Sequence, residues 1–212
     1  MSALILNIHN ATPEVTKLQK VVTALEEGAV ILYPNDTQFT LGCALSNKEA
    51  ISRIRAIRQI SEDHHMTFLC DSLSNISDYA KVNNEAYKLI KRLIPGPYTF
   101  ILPASKNVPR FAQNPKRQTA GIRVPQNTLS QALLKSLGNP LIAVSAKLKD
   151  KPEISEPDEI IAAFSKLVDI IVVSEEYNFT GESTIIDMTS DVYEVVREGA
   201  GMDKVSDFIS ME

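Results

Sequence analysis

The chain has 212 residues, 44% of them hydrophobic, and a formal net charge of -4. That length accommodates one large or two small domains with a sizeable core, and the acidic balance excludes a nucleic-acid or membrane partner recruited by overall charge, so any basic surface is local. Two cysteines without a pairing pattern (Cys43, Cys70), three histidines without zinc-ligand spacing (His64 and His65 adjacent), no signal segment and no apolar run near ~18 residues predict a reduced, cytoplasmic protein with no membrane contact and no protein-bound metal.

In chain order, Thr12-Pro13-Glu14 predicts a helix start: a capping residue, proline at the first helical position, then an acid near the positive dipole end. Val15, Leu18, Val21, Val22 and Leu25 supply its apolar face, and Gly28 ends it. A buried strand over 29–33 follows, stopped by Pro34-Asn35-Asp36, then a strand over 39–45 and a helix over 47–58. Further strands are predicted at 67–70, 98–102, 118–124, 141–145, 170–173, 184–187 and 193–197, with helices at 85–94, 128–137 and 157–167. The connections from Tyr33 to Phe39 and from Asp187 to Tyr193 are too short for helical crossovers. The expectation is an α/β (α+β) fold, a twisted mixed sheet with packed helices, in a single domain over 1–212.

The strand over 118–124 is the most informative. Strand alternation sends Ala120, Ile122 and Val124 to a core, and Thr119, Gly121 and Arg123 to the opposite face. A guanidinium beside a residue with no side chain suits an anionic ligand, and equally a structural salt bridge. No Walker loop, dinucleotide glycine fingerprint or Gly-x-Ser-x-Gly elbow is present, and Gly199-Ala200-Gly201 is too weak to count. Polar residues do collect at strand ends: Asn35, Asp36 and Thr37; Ser145 and Lys147; Ser183 and Thr184; Arg197. Ligands of open α/β sheets bind outside strand ends, and arginine forks suit phosphate and carboxylate. Asn35 and Asp36 are also ordinary turn formers, and clusters such as Arg53/Arg55/Arg58 and Lys147/Lys149/Lys151 read as solvated faces when taken one at a time.

Several motifs resemble those of the YrdC/YciO family. Tyr33-Pro-Asn-Asp-Thr37 with Leu41-Gly42 resembles its Tyr-Pro-Thr-Asp/Glu-Thr…Leu-Gly opening. Ile54-Arg-Ala-Ile-Arg58 resembles the helix end leading into Lys-x-Arg-Pro. Pro95-Gly-Pro-Tyr-Thr99 resembles Pro-Gly-Pro-x-Thr, and Thr119-Ala-Gly-Ile-Arg-Val-Pro125 resembles Thr-x-Gly-x-Arg-x-Pro. The match continues in order through Pro140 to Ser145, Ser183-Thr-Ile-Ile-Asp187 and Arg197-x-Gly199, over nearly the whole chain. The resemblance implies a sheet around a concave basic cavity, without the second domain of longer members. It implies synthesis of threonylcarbamoyl-AMP from ATP, L-threonine and bicarbonate, with release of pyrophosphate. The product would feed the threonylcarbamoyladenosine modification of tRNA, and magnesium would arrive with the nucleotide. By the same resemblance Arg58, Thr119, Ser145 and Arg197 face the nucleotide, joined by Lys147, with Arg58 and Ser145 as the catalytic pair. Asn35, Arg123 and Ser183 face the threonine, Arg123 pairing its carboxylate. On that basis Arg123→Ala is expected to abolish ligand binding and leave the fold intact.

The match fails at four positions. Arg58-Gln59-Ile60 stands where the synthases carry Lys-x-Arg, so one cation is lost. Ser145-Ala146-Lys147 stands for Ser-x-Asn, Leu69 for a histidine, and Asn35 for a threonine. These departures resemble the YciO branch. Two functional readings therefore stand: an enzyme of the synthase type, and a binding protein for tRNA or double-stranded RNA that uses the same basic concavity without catalysis. With no tryptophan and few other aromatics, the second would rest on shape and phosphate contacts.

Overall fold

The computed structural model describes residues 2–64 and 66–208. The first half contains β1 (Leu4–Asn7), α1 (Val15–Glu26), β2 (Ile31–Pro34), β3 (Phe39–Ala44), α2 (Lys48–Arg58), β4 (Thr67–Leu69), α3 (Leu73–Tyr79), α4 (Asn84–Leu93) and β5 (Tyr98–Pro103). The second contains β6 (Thr119–Arg123), α5 (Thr128–Leu137), β7 (Leu141–Ser145), α6 (Pro157–Phe164), β8 (Ile170–Val173), β9 (Thr184–Asp187), β10 (Glu194–Arg197) and α7 (Met202–Ser206). The strands form one twisted sheet of mixed direction, ordered β1-β8-β2-β3-β7-β4-β6-β5-β9-β10. The pairs β1/β8, β2/β8, β4/β6 and β5/β9 are parallel. Both short connections make antiparallel neighbours, β2 with β3 and β9 with β10. The fold class is the one the sequence predicts.

Period-two alternation gives the sheet two faces of different fate. Leu32, Leu41, Phe68, Phe100, Ile122, Ile142 and Ile186 point to the first. It is covered by Ile51 and Ile54 of α2, Ile76 of α3, Ile90 of α4, Phe164 of α6 and Val205 of α7. The second face is covered only in part. Leu18, Val21, Val22 and Leu25 of α1 and Leu129, Leu133, Leu134 and Leu137 of α5 pack on Ile31, Tyr33, Leu69, Leu141 and Ala143. The rest of that face, across β7, β4, β6, β5 and β9, is the floor of a cavity.

Local signals fix the elements bordering that cavity. Asn47 caps α2 by accepting from the Ala50 amide at 2.9 Å. Gln59 ends the helix in the left-handed region, at φ 51°. That turn separates Arg58, which lines the cavity, from Ile60, which lines the neighbouring groove instead. α5 ends at Gly138, also left-handed, at φ 69°.

Four elements lie outside the predicted set: β1, α3, a 3-10 turn at Arg110–Ala112, and α7. β1 is an edge strand without a buried face, so it carries no alternation to read. α3 and α7 each bury a single residue, Ile76 and Val205. The first helix starts later than Thr12-Pro13 implies, because Glu14 stands at its cap with its carboxylate accepting from the His9 amide at 3.0 Å.

Phe68 is fully buried at the centre of the sheet, beneath the cavity floor. Phe68→Ala is expected to cost about 3–5 kcal/mol, read as a lowered urea midpoint at unchanged slope.

Candidate functional site

The β2–β3 connection is a buried polar turn, unlike an ordinary surface loop. Asn35, Asp36 and Thr37 are all buried. The Asn35 amide donates to the Gln38 carbonyl at 3.1 Å, and the Asp36 amide to Asn35 Oδ1 at 2.8 Å. The segment before β9 passes over it, with the Thr180 amide donating to the Asp36 carbonyl at 3.0 Å and the Gly181 amide to Thr37 at 3.2 Å.

Arg123, at the end of β6, reaches into this turn and is 4% exposed. Its Nη2 donates to Asp36 Oδ1 at 2.5 Å, Nη1 to Thr37 Oγ1 at 2.9 Å and Nε to the Gly96 carbonyl at 3.3 Å. Asp36 Oδ2 accepts from the Gln126 amide at 3.0 Å. Gly96 leaves no room for a side chain, since a Cβ there would lie 2.8 Å from the Tyr98 ring and 2.9 Å from the Leu93 carbonyl. Burial pushes the Arg123 guanidinium down from its ordinary value, and the Asp36 charge opposes that shift. The structural reading of Arg123 holds, since it sits in an internal ion pair, and the same side chain lines the cavity.

The cavity holds about 490 Å³. Seven of the eight residues singled out in the sequence line it: Asn35, Arg58, Arg123, Ser145, Lys147, Ser183 and Arg197. Thr119 is not among them. It lies two residues before Gly121 on the same strand face, pairs with Pro103, and is buried with Oγ1 unpartnered among the described residues.

Three further cations line the same cavity, and one of them, Arg197, lies near enough to Arg123 for its charge to add to the lowering of that guanidinium's pKa. Arg58 closes α2, where basic residues complement the helix dipole. Its Nη1 donates to the Lys147 carbonyl, and its buried Nε has no partner among the described residues. Burial lowers its pKa, yet an arginine remains protonated. The Lys147 ammonium pairs with Glu182 Oε1, and Arg197 Nη1 lies 3.4 Å from Glu182 Oε2. The Lys147 hydrogen bond and charge hold the Glu182 carboxyl below its usual range. Arg197 also donates to the Ser183 carbonyl through Nε at 3.0 Å and Nη2 at 2.8 Å, and to Ser183 Oγ at 3.0 Å. Ser183 Oγ in turn meets Thr99 Oγ1 at 3.0 Å. Ser145 Oγ accepts from Gln38 Nε2 at 2.7 Å and keeps its own proton to donate.

The sequence did not point to Glu182, Gln38, Thr67 or Thr99 as cavity residues. Thr67 and Thr99 were findable, since alternation puts both on the Arg123 face. Glu182 had no signal, because Lys147 stands 35 positions away. Of the departures, Leu69 lies in the cavity floor, whereas Ile60 lines an adjoining groove of about 390 Å³ with Lys149 and Lys151, continuous with the cavity through Arg58 and Lys147. Among the described residues no group of three or more His, Cys, Asp or Glu could hold a metal ion, and no helix is long and apolar enough to cross a membrane.

The sequence model of the family Sua5_yciO_yrdC, described as "Telomere recombination", matches residues 23–199. YciO of Escherichia coli K12 is 41% identical over 197 residues, covering 92% of this chain and 94% of its own. Its crystal structure superposes with a TM-score of 0.86 at 39% identity, covering 93% and 96% of the two chains. A threonylcarbamoyl-AMP synthase of Vibrio vulnificus is 30% identical over 164 residues, 76% of this chain and 88% of that protein. The structure of P. abyssi Sua5 complexed with L-threonine gives a TM-score of 0.89 at 26% identity, covering 98% of this chain and 61% of that one.

The buried pair changes the expectation for Arg123. Arg123→Ala strands the Asp36 carboxylate and is expected to cost about 3–5 kcal/mol of stability. In a double-mutant cycle, Asp36→Asn combined with Arg123→Ala costs less than the two single changes added together. Additive losses in chemical denaturation would show that the two side chains do not act as a pair.

Proposed function

Because the chain belongs to the Sua5–YciO–YrdC family, we propose that it is a threonylcarbamoyl-AMP synthase-like nucleotidyltransferase that uses ATP, L-threonine and bicarbonate in the sheet-face cavity. One observation carries the reading: seven residues from six separate segments, with side chains suited to anion and amino-acid chemistry, line a single cavity. The cavity lining carries two chemically different sets of groups. Arg58, Lys147 and Arg197, with Ser145, suit a polyphosphate. Asn35, Thr37, Arg123 and Ser183 suit a small zwitterion with a hydroxyl.

In this reading the threonine amine condenses with bicarbonate to a carbamate, releasing water. A carbamate oxygen then attacks the α-phosphorus, and the bond to the β-phosphate oxygen breaks to release pyrophosphate. Such chemistry asks for positioning and charge neutralisation more than covalent help. Arg58, Lys147 and Arg197 would neutralise the leaving pyrophosphate, and Ser145 would donate to a phosphate oxygen. Arg123 would orient the threonine carboxylate with donors left over from Asp36 and Thr37. Magnesium would arrive with the nucleotide. Thr119 has no place in this reading.

A second reading, binding of tRNA or double-stranded RNA, is favoured by one feature. Basic surface continues from the cavity along the adjoining groove, through Arg58 and Lys147 to Lys149 and Lys151. Phosphate contacts of that kind are recognised by their salt dependence.

Purified protein given ATP, threonine and bicarbonate is expected to release pyrophosphate and form the adenylate. Arg58→Ala should lower kcat by about two to three orders of magnitude, the usual cost of removing a preorganised charge at developing negative charge. Absence of turnover together with absence of ATP binding by calorimetry sinks the enzyme reading. For the second reading, Lys149→Ala combined with Lys151→Ala should reduce the slope of log affinity against log salt by about one to two for a double-stranded RNA. An unchanged slope excludes that groove as the RNA contact.

A further inference from the structure

We infer that Glu182 is a resident anion that occupies the cationic end of the cavity in the free protein and has to be displaced when a polyanionic ligand binds there. The inference rests on the nucleotide reading of that end and names what sets its affinity.

The geometry is that of a carboxylate standing in for a ligand. Glu182 bridges two cations from different parts of the chain, Oε1 toward Lys147 and Oε2 toward Arg197. It lines the same cavity as Arg58, Ser145 and Ser183. The two oxygens thus occupy the donors that an incoming phosphate would use. The bridge is not part of the core. The Glu182 side chain is 42% exposed and the Lys147 side chain 54%. The backbone on either side is anchored, the Gly181 amide donating to the Thr37 carbonyl at 3.2 Å and the Ala200 amide to the Glu182 carbonyl at 2.8 Å, so displacement asks only the half-exposed side chain to swing away. Arg197 is held independently of Glu182, through the Ser183 carbonyl and hydroxyl. Release of Glu182 therefore leaves the arginine in position.

Charge decides which ligands overcome the bridge. With Glu182 in place, three cations face one carboxylate, a surplus of two positive charges, since Asp63 is engaged by Lys116. A ligand with a single negative charge merely exchanges one carboxylate partner for another, and loses its translational freedom in doing so. A ligand with several adjacent charges engages Arg58 as well as the two cations it frees. Glu182 thus lowers the affinity for every anion alike and leaves only polyanions bound at ordinary concentrations.

Two variants measured by calorimetry with inorganic pyrophosphate and with ATP test this. Glu182→Gln removes the competing charge. Glu182→Asp keeps the charge on a side chain one methylene shorter, which cannot span both cations. Both are expected to bind pyrophosphate and ATP more tightly than the unmodified protein, by about three- to tenfold, the worth of one or two half-exposed ion pairs. Thermal midpoints should stay within a few degrees, since surface pairs contribute little to stability. Tightening in Glu182→Gln alone would reduce Glu182 to a repelling bystander and overturn the inference. So would unchanged affinity in both variants, although ATP binding by the unmodified protein would then leave the nucleotide reading standing. Binding of neither ligand by any of the three proteins overturns the inference together with that reading.

Discussion

The Arg123–Asp36 ion pair is the constraint around which the site is arranged. It joins the end of β6 to the turn after β2, although β3, β7 and β4 lie between those strands in the sheet. Four strand spacings amount to roughly 19 Å on a flat sheet, more than the two side chains span. The contact therefore requires the sheet to curl and the turn to fold over its open end. That curl makes the uncovered part of the second face concave. The pair is a poor net stabiliser, because removing two charges from water offsets most of their attraction. Its consequence is local: loss of either side chain leaves the other charge buried without that partner.

The same pair divides the cavity electrostatically. Asp36 neutralises Arg123, so the β6 end offers directed hydrogen bonds more than net charge. The surplus positive charge comes from Arg58, Lys147 and Arg197. In the proposed reaction an amino acid and a polyphosphate meet in one cavity, and that division gives each a set of groups matched to its charge. Ser183 links the two sets, bonded to Thr99 of β5 and to Arg197.

Much of this was legible in the residues. Strands with a buried face, such as 141–145 and 170–173, announce themselves because two-sided burial demands apolar side chains throughout. Arg123 was visible as a charge on a strand whose other residues are apolar or small. What was not legible depends on contacts across sequence. The edge strand β1 buries nothing, so its pattern is indistinct, and α3 and α7 are too short for a helical period to show. Glu182 reads as a loop acid until β7 and β9 bring Lys147 beside it. Thr119 shares a strand face with Arg123, and face alone does not determine depth along the strand. The period of a strand gives direction; only the neighbouring strands give position.

The departures from the synthase pattern also take on a physical form. The lost cation at Ile60 lies past the left-handed Gln59, in the groove beside the cavity and not at its floor. Lys147, which replaces an asparagine of that pattern, stands where cavity and groove meet. Its carbonyl holds Arg58 and its ammonium faces Glu182. The chain therefore has not simply lost a charge. A cation is absent on the groove side, another has been added at the cavity mouth, and a carboxylate sits against the added one. In the proposed reading, an exchange of that kind would keep an attraction for phosphate and move its centre toward β7 and β9. A ligand whose charge is concentrated at the cavity mouth suffers little from the change. One whose charge extends along the groove past Ile60 meets apolar surface there and depends instead on the more distant Lys149 and Lys151. The shift bears first on where the polyphosphate end of a nucleotide would lie, and only through that on whether its α-phosphate meets the carbamate in line.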